Sequence, residues 1–151
     1  HGGSAAEAAA AVLHDAVLSP GWAMSAPEAG ARFGPEVGAL VEHCARIQGV
    51  PLSPMGRPQT SYYHLVAQAP AGARLICSAQ ALATVRLALS LSDREGAAAS
   101  SRFHGGRDFC IWYYRALSAA ISAAGATPLA DELAAAVERL ARGVDRPARA
   151  A

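Results

Sequence analysis

Ser4 and Glu7 stand three residues apart at the head of an alanine run, Ala8-Ala9-Ala10-Ala11-Val12-Leu13. A hydroxyl and a carboxylate at that spacing each reach the other's backbone N–H and close the open first turn of a helix. Alanine then extends the helix, because it has no side-chain rotamers to lose on ordering. The same character runs along the chain: apolar residues make up 52% of it, much of that Ala, and no stretch alternates in Val, Ile or Thr. Such a chain is confined to helices. Its 151 residues suit one domain with a real core.

The punctuation divides it into about seven helices. The first runs over Ala5–Leu18 and stops at Ser19-Pro20-Gly21. Ser25 and Glu28 form a second capping box, opening a short helix that ends near Phe33-Gly34. Pro35-Glu36 begins a third, with Val37, Leu40, Val41, Cys44 and Ile47 at helical spacing. Residues 49–60 hold three prolines and two glycines and read as an irregular loop. A short helix follows over about Ser61–Gln68, then one over about Ala73–Leu91 that is apolar nearly all round, as a helix in the middle of a domain is. Ser92–Gly106 reads as a linker. Arg107–Ala124 is the sixth helix, with Phe109, Tyr113, Ala116 and Ala120 on one stripe and Cys110, Leu117, Ile121 and Ala124 beside it. Thr127-Pro128 caps a last helix carrying Leu129, Leu133, Val137 and Leu140. The expected organisation is a single domain over 1–142 and a flexible tail over 143–151.

Charge and cysteines narrow the function classes. All 13 basic residues are Arg, scattered from Arg32 to Arg149, and the net charge is +1. Nucleic-acid binding needs a clustered basic footprint, so no nucleic-acid partner is expected. Cys44, Cys77 and Cys110 are odd in number, far apart and set in apolar helices, the pattern of buried free thiols in a reducing compartment. No segment approaches the roughly 18 unbroken apolar residues of a membrane span. His1-Gly2-Gly3-Ser4 is no signal peptide. The expectation is a cytoplasmic protein, off the membrane, whose chain begins inside a longer one since it lacks an initiating Met.

The residues that carry chemistry start with His14-Asp15. Adjacent His and Asp on a helix can hold one divalent cation through imidazole nitrogen and carboxylate oxygen, and can equally be a buried or capping pair. Gln80 and Thr84, one turn apart on the apolar fifth helix, either bond to their own surroundings or line a pocket with His14 and Asp15. Trp112-Tyr113-Tyr114 reads as core, with the floor of a ligand pocket as the other reading. His43 and His104 read as surface or loop residues.

In context these residues form a longer pattern. Ala11-Val12-Leu13-His14-Asp15-Ala16-Val17, then Arg32-Phe33-Gly34-Pro35-Glu36-Val37, Tyr63-His64-Leu65, the helix around Cys77, Gln80 and Thr84, and Phe103-His104-Gly105-Gly106 ahead of Trp112-Tyr113-Tyr114-Arg115 follow one another in order. Across essentially the whole chain this resembles the HD-domain phosphohydrolases. Within them it is most like the hydrolase domains of bacterial stringent-response alarmone enzymes and their small stand-alone relatives. The resemblance implies an HD-like helical bundle. It also implies a metal, commonly manganese, held by a His on the first helix, the His-Asp pair and an Asp on the central helix, with a Glu-Asp dipeptide handling the attacking water. It makes His14 and Asp15 the surviving catalytic and metal-ligating pair, and His64 a family histidine that is otherwise a packed or solvent-facing one.

At the other demanding positions the residues differ. Leu18-Ser19 occupy the place of the Glu-Asp pair, Gln80 that of the central Asp, Cys77 that of a Lys and Thr84 that of an Asn; the first His would lie upstream of residue 1. Arg57 is the one cation left in a stretch where the family carries several. A hard cation needs anionic oxygens around it, and a metal-bound water needs an acid/base partner. The expectation is therefore a degenerate domain that binds a small ligand or protein partner through Gln80, Thr84 and Arg57, or uses His14 in metal-independent chemistry. No cofactor is expected, and manganese only if the site still works as a phosphohydrolase on a nucleotide or guanosine polyphosphate. Restoring the anionic set with Gln80→Asp, Leu18→Glu and Ser19→Asp together should create manganese affinity measurable by calorimetry. No gain over the parent chain would show that these positions do not share a site.

Overall fold

The computed structural model describes residues 2–18, 24–48, 60–103 and 105–143, and of residues 15–18, 97 and 100 the backbone alone. Seven α-helices follow one another: α1 (Ala5–Leu18), α2 (Ala26–Phe33), α3 (Pro35–Gln48), α4 (Thr60–Gln68), α5 (Ala71–Glu95), α6 (Gly106–Ala123) and α7 (Pro128–Arg142). A 3₁₀ helix over Gly96–Arg102 joins α5 to α6, and no strand occurs among the described residues. The protein is all-α. The chain falls into two compact units, His1–Cys77 and Ser78–Ala151, divided within α5. The tail beyond 143, and the loop expected over 49–60 as far as residue 59, lie outside the described residues.

In the first unit the caps form as their residues require. Ser4 N–H donates to Glu7 Oε2 at 2.7 Å and Glu7 N–H to Ser4 Oγ at 3.1 Å. At α2, Ser25 N–H and Oγ–H both donate to Glu28 Oε2, at 2.6 and 2.8 Å. These Ser25 donors hold the Glu28 carboxyl below its ordinary 4.5. Gly34 takes φ 105°, which a side chain would resist, and the chain turns there from α2 directly into α3.

The two helices then meet backbone to backbone. A Cβ at Gly38 would lie 2.7 Å from Gly30 Cα and 3.1 Å from the Ala26 carbonyl oxygen. That approach lets α3 bury Val37, Leu40, Val41, Cys44 and Ile47, while α3 also packs on α1 and α4. Each such Val, Leu or Ile contributes about 1.5–3 kcal/mol by leaving water.

In the second unit α6 packs on α7. The buried side of α6 is Cys110, Ile111, Leu117, Ser118 and Ile121, and that of α7 is Leu129, Ala130, Leu133, Ala136, Val137 and Leu140. Arg115 grips Glu138 with two guanidinium nitrogens at 2.7 and 2.9 Å, Arg86 pairs with Glu132, and the Arg107 guanidinium donates to the Leu140 carbonyl near the end of α7. Thr127 caps α7 by accepting from Ala130 N–H at 3.1 Å.

Three expectations are corrected. The linker over Ser92–Gly106 is mostly helix: α5 continues to Glu95, Gly96 turns at φ 59°, and the 3₁₀ segment is tied back by Arg102 on Glu95 at 3.2 Å. The aromatic stripe of α6 is not its buried face. Trp112 is 40% exposed, and the half-buried Phe109 lies parallel to the Tyr113 ring and tilted against that of Trp112. The third concerns α5. It has 25 residues, with a stretch of mean hydropathy 1.5 of which 33% is buried, and by length and composition it could cross a bilayer. Scattered Arg and Ser residues hide this from a search for unbroken apolar runs. A soluble protein's core helix passes the same test.

Gly38→Ala should therefore destabilise the fold by about 1–3 kcal/mol, because backbone must move to admit the methyl. At Gly30 an added Cβ meets Gly38 Cα at 3.5 Å and Pro35 Cα at 4.0 Å, both ordinary contacts. Gly30→Ala should thus be neutral or stabilising by up to about 1 kcal/mol through helix propensity. Urea denaturation of the two variants checks the contrast.

Candidate functional site

His14 follows Ala10 by one helical turn on the inward side of α1, and both are fully buried. Its Nδ1 lies 2.8 Å from the Ala11 carbonyl oxygen. A carbonyl oxygen only accepts, so Nδ1 carries a hydrogen and donates it to Ala11. In its neutral form an imidazole fixed in this way is prepared to accept a hydrogen bond, take up a proton or ligate a metal through Nε2. The sequence singles out His14; which nitrogen donates to the backbone follows only from the geometry of the helix.

The other expected site residues fall in different places. Asp15 and Leu18 belong to α1, with side chains outside the described set. Ser19, Arg57 and His104 lie outside the described residues altogether. Gln80 and Thr84 belong to the second unit. Gln80 is half-buried, but Thr84 is exposed, contrary to its reading as a buried polar group. Its hydroxyl donates to the Gln80 backbone carbonyl at 3.1 Å, one turn back on the same helix. Nearby on α6, burial raises the Tyr114 hydroxyl's pKa. His64 is exposed.

Cys77, which occupies the place of a Lys in the resemblance, is buried beside the buried Cys44. The hydrogen bond with Cys44, and then burial, push the Cys77 thiol far up; burial does the same to Cys110. All three cysteines are buried and none forms a disulfide. With their pKa values raised, Cys77 and Cys110 are packing groups rather than metal ligands or nucleophiles.

Among the described residues no three His, Cys, Asp or Glu side chains are grouped to hold a cation. An imidazole supplies none of the negative charge that a hard divalent ion requires.

A site not anticipated from the sequence lies between α3 and α4. His43, Arg46 and Ile47 on α3, with Leu65 and Gln68 on α4 and Ala69 just past its end, line a half-open pocket of about 130 Å³. The two triplets share the spacing i, i+3, i+4 of one helix face. His43 reads as an isolated surface residue until the two faces are set together.

Comparison with family models, with curated proteins and with solved structures returned no match to this chain.

The thiols generate a direct test. At pH 8 an ordinary cysteine, near 9.0, is partly ionised and reacts with an aromatic disulfide reagent. A raised pKa leaves less thiolate at that pH, so Cys77 and Cys110 should remain unreacted over minutes in the native protein and titrate fully in guanidinium chloride. Rapid native release of the coloured thiol by either would contradict their burial.

Proposed function

We propose that this chain is a helical domain of the HD type that no longer works as a metal phosphohydrolase and binds a small ligand or a protein partner, with His14 as a recognition group. The observation that carries the reading is the buried His14 imidazole, its hydrogen held on Nδ1 by the Ala11 carbonyl. With Nδ1–H committed to the backbone, Nε2 is the ring atom that would recognise a hydroxyl or amide N–H, or draw a proton from a bound hydroxyl without any metal. The residue types support the same direction. Of the positions that the resemblance assigns to metal and water chemistry, Asp15 is the one carboxylate; Leu18, Ser19, Gln80 and Thr84 are neutral. A Gln carbonyl compensates less of a cation's charge than a carboxylate does, and Leu18 can accept no proton.

The same hydrogen bond also favours a second reading. Metal-ligating histidines commonly donate their other ring N–H to a backbone carbonyl, so a manganese-dependent phosphohydrolase acting on a nucleotide or guanosine polyphosphate would use His14 in the same state. The two readings separate in one experiment on the full chain, incubated with guanosine tetraphosphate with and without manganese. The first predicts no release of pyrophosphate above the buffer rate and no manganese retained after dialysis. Manganese-stimulated release that is lost in His14→Ala selects the second and overturns the first.

A further inference from the structure

We propose that the pocket between α3 and α4 is a binding site for a small monoanionic organic acid, a carboxylate on a short aliphatic tail. This goes beyond the reading of His14 and stands independently of it. The floor is apolar: Ile47 and Ala69 are buried, at 3% and 6% exposure, and Leu65 is half-buried beside them. The rim is polar and of one sign, with the Arg46 guanidinium, the His43 ring and the Gln68 amide, and no carboxylate lines it. Among the described residues no carboxylate lies within ion-pair distance of Arg46, whereas Arg86, Arg102 and Arg115 each hold a Glu. Arg46 thus offers the pocket a planar fork of N–H donors, the geometry that matches a carboxylate's two oxygens.

One feature of the fold removes an opposing charge. The end of α4 would present carbonyl oxygens, the negative pole of the helix, to anything bound beside Gln68 and Ala69. The Arg74 guanidinium donates to the Ala69 carbonyl, so that pole is covered by a cation before a ligand arrives. The size of the ligand follows from the volume. A half-open pocket of about 130 Å³ suits a small ligand, such as a carboxylate with a tail of two or three carbons.

The test uses the full chain, labelled with ¹⁵N and titrated with sodium butyrate at constant ionic strength. The expected result is saturable shifts of the His43, Arg46, Leu65, Gln68 and Ala69 amides with a Kd on the order of millimolar, as a ligand of this size allows. Arg46 is exposed, so Arg46→Gln should leave the spectrum folded and weaken binding at least about tenfold, the scale of one charge-assisted contact. Arg46→Lys should fall between, since a point charge lacks the fork. Shifts that do not saturate, that persist unchanged in Arg46→Gln, or that 1-butanol reproduces at equal concentration would each overturn the proposal. In those cases the pocket would hold water or apolar solutes only.

Discussion

The crossing of α2 and α3 at Gly30 and Gly38 is the contact on which the first unit turns. With no side chain at Gly38, one helix axis approaches the other until backbone meets backbone, 2.7 Å from a would-be Cβ. Gly34, at φ 105°, makes the turn between them tight enough for that approach. Once α3 is placed, its opposite faces are placed too. Val41 and Cys44 go inward, and His43, Arg46 and Ile47 come to face α4. The pocket is a by-product of a packing requirement in a neighbouring pair of helices.

Much of this architecture can be read from residue order because it rests on short-range chemistry. Ser4, Ser25 and Thr127 accept the N–H groups that any helix start leaves open, and each does so at the expected position. The stripe of α3 and that of α7 are buried as their spacing requires. What failed depends on partners distant in sequence. Both stripes of α6 are apolar enough to be core, and the choice of the Cys110–Leu117–Ile121 side over the aromatic side is made by α7. The run from Ser92 looks like linker because its Ser, Asp and Gly residues favour turns, yet Glu95 and Arg102 close on each other and hold it helical. Composition alone also misses that an interrupted apolar helix such as α5 can reach membrane-spanning length.

The candidate site was legible in part for the same reason. His14 is visible as a polar residue in an alanine helix, but which ring nitrogen donates depends on the carbonyl three residues earlier. Thr84 looks like a buried anomaly on an apolar helix, and in the structure it is exposed with its hydroxyl absorbed by its own backbone. The pair at His43 and Arg46 carries no signal until the face of α4 is set against it. Charge is the common thread: the inward positions hold an imidazole and three buried thiols, while the cations line rims and helix ends.

Those cations are all arginine, and two of them serve an unusual end. Arg74 and Arg107 donate to the carbonyls of Ala69 and Leu140, where a helix finishes and its oxygens need donors. A lysine in that role would surrender its proton in strongly basic solution. A guanidinium does not. The fastenings at the ends of α4 and α7 therefore persist in alkali, where titration of tyrosines and thiols would be the first chemistry to loosen the fold.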